Sequence, residues 1–212
     1  MKHSDLCSCD LCRLTERVES LEDRVAYLEH KIGVDNGDEV FVDAQGIDAY
    51  WRTGEIDWAE VATDGVAFAI LKATEGVDYL DPPERLAWFE SAAFGARDEG
   101  VLLSYYHYAR PDTESSAYAE AHDFLDALLR VPTPDVCGYG PNRTATVWLD
   151  LEAKCPNLTQ PEGLTWVQTW IDEVEKLGYP VGLYTSKSWL DRYVGSPGAL
   201  LTRPDGTQRA FW

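Results

Sequence analysis

The sequence predicts an α/β fold of parallel strands and crossover helices, as an open sheet or a closed barrel, behind a separate N-terminal helix. Three observations carry this prediction. Short apolar runs alternate with helix-period stretches beyond residue 42, polar side chains gather at the ends of those runs, and a heptad pattern occupies residues 11–32. We place a Cys-rich start and coiled-coil helix at 1–34, a linker at 35–42 and the α/β domain at 43–212.

From the N-terminus, Leu11, Leu14, Val18, Leu21, Val25, Leu28 and Ile32 recur at alternating intervals of three and four, the seam of a coiled coil. Val18, Val25 and Ile32 at position a with Leu14, Leu21 and Leu28 at d favour a parallel two-stranded coil. Arg17 and Arg24 at g would then meet Glu22 and Glu29 at e of the partner, so a homodimer through residues 11–32 is expected; a trimer remains open. Cys7, Cys9 and Cys12, with His3 upstream, could bind zinc or form interchain disulfides, but zinc motifs usually supply two separated ligand pairs. Free thiols are the default for these and for Cys137 and Cys155, which flank an acidic strand. The turn residues of Gly33 to Asp38 mark the linker.

In the α/β domain, strands are predicted at Val42–Ala49, Val66–Thr74, Val101–Ala109, Thr146–Glu152 and Val181–Thr185. Helices are predicted at Ile56–Thr63, Pro83–Asp98, Thr113–Leu129 and Glu162–Leu177. The strand ends carry Asp48, Thr74 with Glu75, His107, Asp150 with Glu152, and Tyr184 with Thr185. In a barrel those ends share one rim, where this architecture places its chemistry.

Composition excludes several function classes. Eighteen basic against 37 acidic residues leave a net charge of -19, which argues against nucleic acid or an anionic lipid surface as partner. No run of eighteen apolar residues is present, and the N-terminus lacks the apolar core of a secretory signal, so a soluble protein made in the cytoplasm is expected. The motifs contain no metal-ligand cluster, and no cofactor is expected.

Asp150 and Glu152 carry the most chemical information. Two residues apart on one strand, they project from the same face, with Cα atoms about 7 Å apart. Like charges at that spacing cannot both ionise easily, so one acid should stay protonated as a donor while the other remains an anion. Glycoside cleavage requires such a pair, although solvated acids at a surface strand end would look the same in sequence.

Read together, Gly46-Ile-Asp48, Lys72-Ala-Thr-Glu-Gly76, Tyr106-His-Tyr-Ala-Arg-Pro111, Leu149-Asp-Leu-Glu152 and Leu183-Tyr-Thr185, with Gly54-Glu-Ile-Asp-Trp58 and Asp81-Pro82 in place, resemble the family 25 glycoside hydrolases, the N-acetylmuramidase lysozymes of bacteria and their viruses. The likeness runs from Gly46 to Trp212 and excludes the zipper and cysteine cluster. It implies a TIM-like (β/α) barrel that hydrolyses the β-1,4 bond between N-acetylmuramic acid and N-acetylglucosamine in peptidoglycan, acting on the wall after release as a phage lysin does. On the matching positions, Glu152 is the implied general acid, and Asp150 and Asp48 are the implied anions that steady the sugar ring or orient its acetamido group. Tyr106, Tyr184 and Glu75 are the implied substrate-binding residues, the tyrosines stacking on or hydrogen-bonding to sugar rings where plain core aromatics are the rival, and Glu75 either lining the groove or tying down the following loop with Lys72. His107 reads as structural, and so does Arg110.

The chain departs from the family at Gln208 to Trp212, which looks like the opening of a sixth strand where family members continue through two more strands and a further acid. The expectation is therefore a barrel incomplete at its C-terminus, from a partial gene product or a split lysin whose other half is a separate chain. The rival from another class is a wall-binding or virion structural protein in which the zipper multimerises a sugar-binding groove. A third reading keeps the enzyme class and substitutes a chitin-type substrate. Because the chain is so acidic, recognition of an anionic wall must come from short-range groove contacts.

Overall fold

The computed structural model describes residues 44–112, 116–134, 146–195, 198–203, 206 and 208–211. The predicted coiled coil, Cys7, Cys9, Cys12, the linker and Cys137 all lie outside the described residues.

Five parallel strands, β1 (Gly46–Ala49), β2 (Phe68–Glu75), β3 (Leu102–Tyr108), β4 (Val147–Leu151) and β5 (Val181–Thr185), lie side by side in chain order. The helices are α1 (Trp58–Thr63), α2 (Pro83–Asp98), α3 (Ala117–Leu128), α4 (Gln160–Lys176), α5 (Lys187–Tyr193) and α6 (Gly198–Leu201). The helix predicted over Pro83–Asp98 and the strand predicted over Val181–Thr185 form over those residues. The first strand is shorter than expected, because Ala44 and Gln45 are not in the sheet. Two short helices, α5 and α6, were not anticipated. Residues 210–211 run along the free edge of β5, with Leu183 donating to the Ala210 carbonyl at 2.9 Å and a parallel bridge from Leu183 to Phe211.

Helix starts follow local chemistry. The Asp57 carboxylate accepts from the Glu60 amide ahead of α1, and the Ser116 and Ser186 hydroxyls accept from Ala119 and Trp189 ahead of α3 and α5. Thr159 and Glu162 form a capping box on α4, with Glu162 accepting from the Thr159 amide at 3.0 Å.

Register sorts the sheet into two unlike faces. The pairs Gly46↔Phe68, Asp48↔Ile70, Lys72↔Tyr106, Tyr106↔Trp148, Tyr108↔Asp150 and Asp150↔Tyr184 place all of these residues on one face, since side chains alternate along each strand and partners in register share a side. The opposite face presents Ala69, Leu71, Leu103, Tyr105, His107, Leu149, Leu151 and Leu183, each fully shielded from solvent, to the helices.

That second face makes the core. Phe89 of α2 meets Tyr105 edge-on at 5.7 Å, while Trp170 of α4 stacks on His107 at 5.3 Å and packs against Phe124 of α3. The imidazole is fully saturated: Nδ1 meets the Thr74 hydroxyl at 2.7 Å and Nε2 meets the Glu120 carboxylate at 2.8 Å. Burial holds His107 below its usual range against the opposing pull of Glu120. Glu120 also accepts from the Arg110 amide at 3.0 Å, so one buried network ties β2, β3, α3 and the turn after β3 together.

Candidate active site

A bulge in β2 makes the polar face possible. Register between β2 and β3 shifts between Lys72 and Thr74, so Ala73 is the extra residue. Without it, Lys72 and Glu75, three apart, would point to opposite sides. With it, Glu75 pairs in register with Tyr108 and rejoins Lys72 on the face that carries Asp150. Lys72 donates to Glu75 at 2.5 Å, and its ammonium lies 4.5 Å from the Tyr108 ring centre and 5.3 Å from that of Tyr79.

A layer of aromatic rings lies under the acids. The Phe68 and Trp148 rings cover the glycines of neighbouring strands so closely that a Cβ at Gly46 would stand 2.2 Å from Phe68 and one at Gly182 2.7 Å from Trp148. Glycine is required at both positions by this close approach.

Above this layer the structure brings the three predicted acids together. The Asp150 side chain is almost completely buried at the end of β4, and its Oδ1 has no hydrogen-bond partner among the described residues. Burial foremost, then the charge of Glu152, push its carboxyl up to about 7, with Lys72 opposing and Asp48 and Glu75 adding to the rise. Asp48, at the end of β1, is raised by burial and by Glu152, against the Tyr106 hydroxyl that donates to it and the Lys72 charge. Glu152 follows β4 directly, is exposed, and acts electrostatically on both aspartates. The three carboxylates are thus coupled pairwise.

The predicted binding residues sit on the same face. Tyr106 is half-buried; burial and the charges of Asp48 and Asp150 drive its hydroxyl far above the ordinary range, so it remains a donor, and its recipient is Asp48. Tyr184 is exposed, and its hydroxyl is raised first by Glu152, then by burial, Asp150 and Asp48, which puts it beside all three acids. Glu75 would be raised by burial, but Lys72 and Arg110 outweigh this and hold it low. Arg110 donates to Glu75 at 3.1 Å and to Asp112 at 3.2 Å.

Sequence reading missed Tyr108, whose hydroxyl is raised by burial and by the charges of Asp150 and Glu152. Its signal was present, since it stands two residues after Tyr106 on the same strand face. Missed as well was the lining of an adjoining cleft of about 700 Å³, which shares Lys72 and Glu75 with the acid site and includes Trp51, Arg52, Tyr79 and Arg85. Among the described residues, no group of three or more side chains forms a metal-binding cluster, and no helix is long and apolar enough to cross a membrane.

Comparison with known proteins places the chain in a family. Lysozyme M1 of Streptomyces globisporus is 31% identical over 159 residues, covering 72% of this chain and 49% of that protein. An N,O-diacetylmuramidase of Arthroderma benhamiae is 28% identical, covering 72% of this chain and 61% of that protein. The chain therefore spans about half to three-fifths of the length of these two relatives. The crystal structure of a bacterial lysozyme from Streptomyces coelicolor superposes with a TM-score of 0.61 at 28% identity, covering 82% of this chain and 74% of that one. The family profile of glycosyl hydrolases family 25 matches residues 47–202, and the chain belongs to that family.

Proposed function

We propose that this chain is a peptidoglycan-cleaving N-acetylmuramidase, a lysozyme that hydrolyses the β-1,4 bond between N-acetylmuramic acid and N-acetylglucosamine. The observation that carries the reading is the pairwise coupling of Asp48, Asp150 and Glu152 on one sheet face, with Asp150 pushed up to about 7. With its carboxyl pushed up to about 7, Asp150 still carries a proton for part of the time near neutral pH. An acetamido N–H arriving at Asp150 stabilises its anion and moves that proton towards Glu152. Glu152, exposed at the strand end, then delivers it to the leaving oxygen as general acid. Asp48, oriented by the Tyr106 hydroxyl, supplies a second anion to the positive sugar ring. Tyr184 offers an exposed ring and hydroxyl to the glycan, and Glu75 positions Lys72 beneath it.

Finer features of the reading rest on the same pattern. Strand order following chain order supports a TIM-like (β/α) barrel over a doubly wound sheet, whose order reverses at a switch point. The heptads support a homodimer through residues 11–32, and sedimentation of the full chain as a monomer would remove that part. We further infer that the enzyme meets its substrate outside the cytoplasm, as a phage lysin does.

The test is mass spectrometry of fragments released from purified peptidoglycan. Disaccharide-peptides with N-acetylmuramic acid at the new reducing end are expected. Fragments ending in N-acetylglucosamine, or binding with no new reducing ends, would overturn the proposal.

A further inference from the structure

The cleft beside the acids is an island of positive charge on an acidic chain. Its cations Arg52, Lys72, Arg85 and Arg110 outnumber its acids Glu75 and Asp78, while the whole chain carries a net charge of -19. The four cations are not equivalent. Lys72 and Arg110 are committed to Glu75, at 2.5 and 3.1 Å, and Arg110 also to Asp112. Arg52 and Arg85 have no carboxylate within ion-pair distance among the described residues. Instead, both guanidinium groups lie against the Trp51 ring, at 5.0 and 5.1 Å, and Arg85 also lies 4.9 Å from Tyr79. Arg85 donates one hydrogen bond, to the Tyr79 carbonyl at 3.2 Å, and its Nε is shielded with no partner among the described residues.

Aromatic faces hold a guanidinium in place while leaving its in-plane donors unused, and that planar fork matches a carboxylate or phosphate two bonds at a time. The cleft wall is itself under conformational constraint: Asp78 adopts φ 59°, a left-handed conformation uncommon for a residue other than glycine, two residues after Gly76 at φ 57°. At about 700 Å³ the cleft has the size of a small-ligand site. It opens next to the acids, since Arg52 follows Asp48 by four residues and Lys72 belongs to both.

Resting on the muramidase reading, we propose that Arg52 and Arg85 form a carboxylate subsite, taking the lactyl or stem-peptide carboxylate of the muramyl residue and so setting the preference for peptidoglycan over neutral hexosamine polymers. N-acetylmuramic acid differs from N-acetylglucosamine by that carboxylate-bearing arm alone. The subsite also answers how so acidic a chain engages an anionic wall: long-range repulsion is met at contact range by two guanidinium groups with no carboxylate partner among the described residues.

The experiment compares wild type with Arg52→Gln and with the Arg52→Gln/Arg85→Gln double variant, on peptidoglycan stripped of phosphate polymers by hydrofluoric acid. The substrate is used with free carboxylates and with carboxylates converted to methylamides. Wild type should release reducing ends about tenfold more slowly from the amidated substrate, the scale of one lost charge-assisted hydrogen bond. The double variant should show that lower rate on the free-carboxylate substrate and little further loss on amidation, with Arg52→Gln between the two. Arg52 is exposed, and its side chain makes no hydrogen bond among the described residues, so the single variant keeps the test valid if the double variant unfolds. An equal amidation penalty in wild type and variants would overturn the proposal. So would a variant defect confined to unstripped walls, which would make phosphate the ligand. Should wild type release no reducing ends at all, the muramidase reading fails on its own, and calorimetric titration with N-acetylmuramyl dipeptide still decides the cleft. Tighter binding than to the methylamide of that dipeptide, lost in the double variant, supports the subsite; equal binding removes it.

Discussion

Two buried acids stand on opposite sides of the same sheet, and they have opposite chemistry. Glu120 reaches the core face from α3 and is completely enclosed, but its carboxylate receives the His107 ring and the Arg110 amide, so its burial is compensated. Asp150 lies near the end of β4 on the polar face with one oxygen unpartnered among the described residues and three further acids, Glu152, Asp48 and Glu75, acting on it. A buried carboxylate with all its partners stabilises a fold. One deprived of partners and surrounded by like charge shifts its proton affinity towards neutrality, which is a property of catalytic groups and a cost to stability.

The largest expected effect lies on the polar face. Glu152→Gln keeps the shape but removes the titrating group, and should lower kcat for peptidoglycan cleavage by about 10²–10⁴-fold with an unchanged melting temperature, measured as reducing ends released and by circular dichroism. Loss of less than tenfold would take Glu152 out of the role of acid. On the other face, Glu120→Ala leaves the His107 Nε2 and the Arg110 amide without their carboxylate, and should cost on the order of 2–5 kcal/mol in urea unfolding. If Glu120→Ala proved neutral, the contrast between compensated and uncompensated burial would fail.

Asp150→Asn sharpens the same contrast by its sign. Because the folded pKa is raised from 3.8 to about 7, the native state binds more protons than the unfolded state between those values. Wild-type stability from this group is therefore highest at low pH and is lost as pH rises through that window. Asp150→Asn should be more stable than wild type by a few kcal/mol at pH 8, and the difference should vanish near pH 4, read from paired urea titrations. Activity should be lost at both. A smaller effect is expected at Gly182→Ala, where the added Cβ meets the Trp148 ring at 2.7 Å; overpacking should cost about 1–3 kcal/mol by thermal unfolding.

Much of this was legible in the sequence because period and spacing report it. The spacing of Asp150 and Glu152 determines that they share a face, and the apolar runs locate β2 to β5 within a residue or two of where they lie. The predicted helix over Pro83–Asp98 is marked by its opening proline. Other features depend on contacts between segments remote in sequence. The bulge at Ala73 leaves no compositional trace, yet it turns Glu75 towards the acids. Arg52 and Arg85 are 33 positions apart and become a pair only when the turn after β1 meets the start of α2 across Trp51. The helices α5 and α6 are too short to show a periodic pattern above their surroundings.

Carbon-13 NMR titration of the Asp150 carboxyl, in wild type and in Glu152→Gln, tests the coupling of the acids most directly. The wild-type carboxyl should titrate near pH 7, and the variant, with the neighbouring negative charge removed, should titrate lower while burial keeps it above 3.8. A wild-type midpoint near 4, or one that does not move in Glu152→Gln, would contradict the coupled-acid site on which the proposed activity rests.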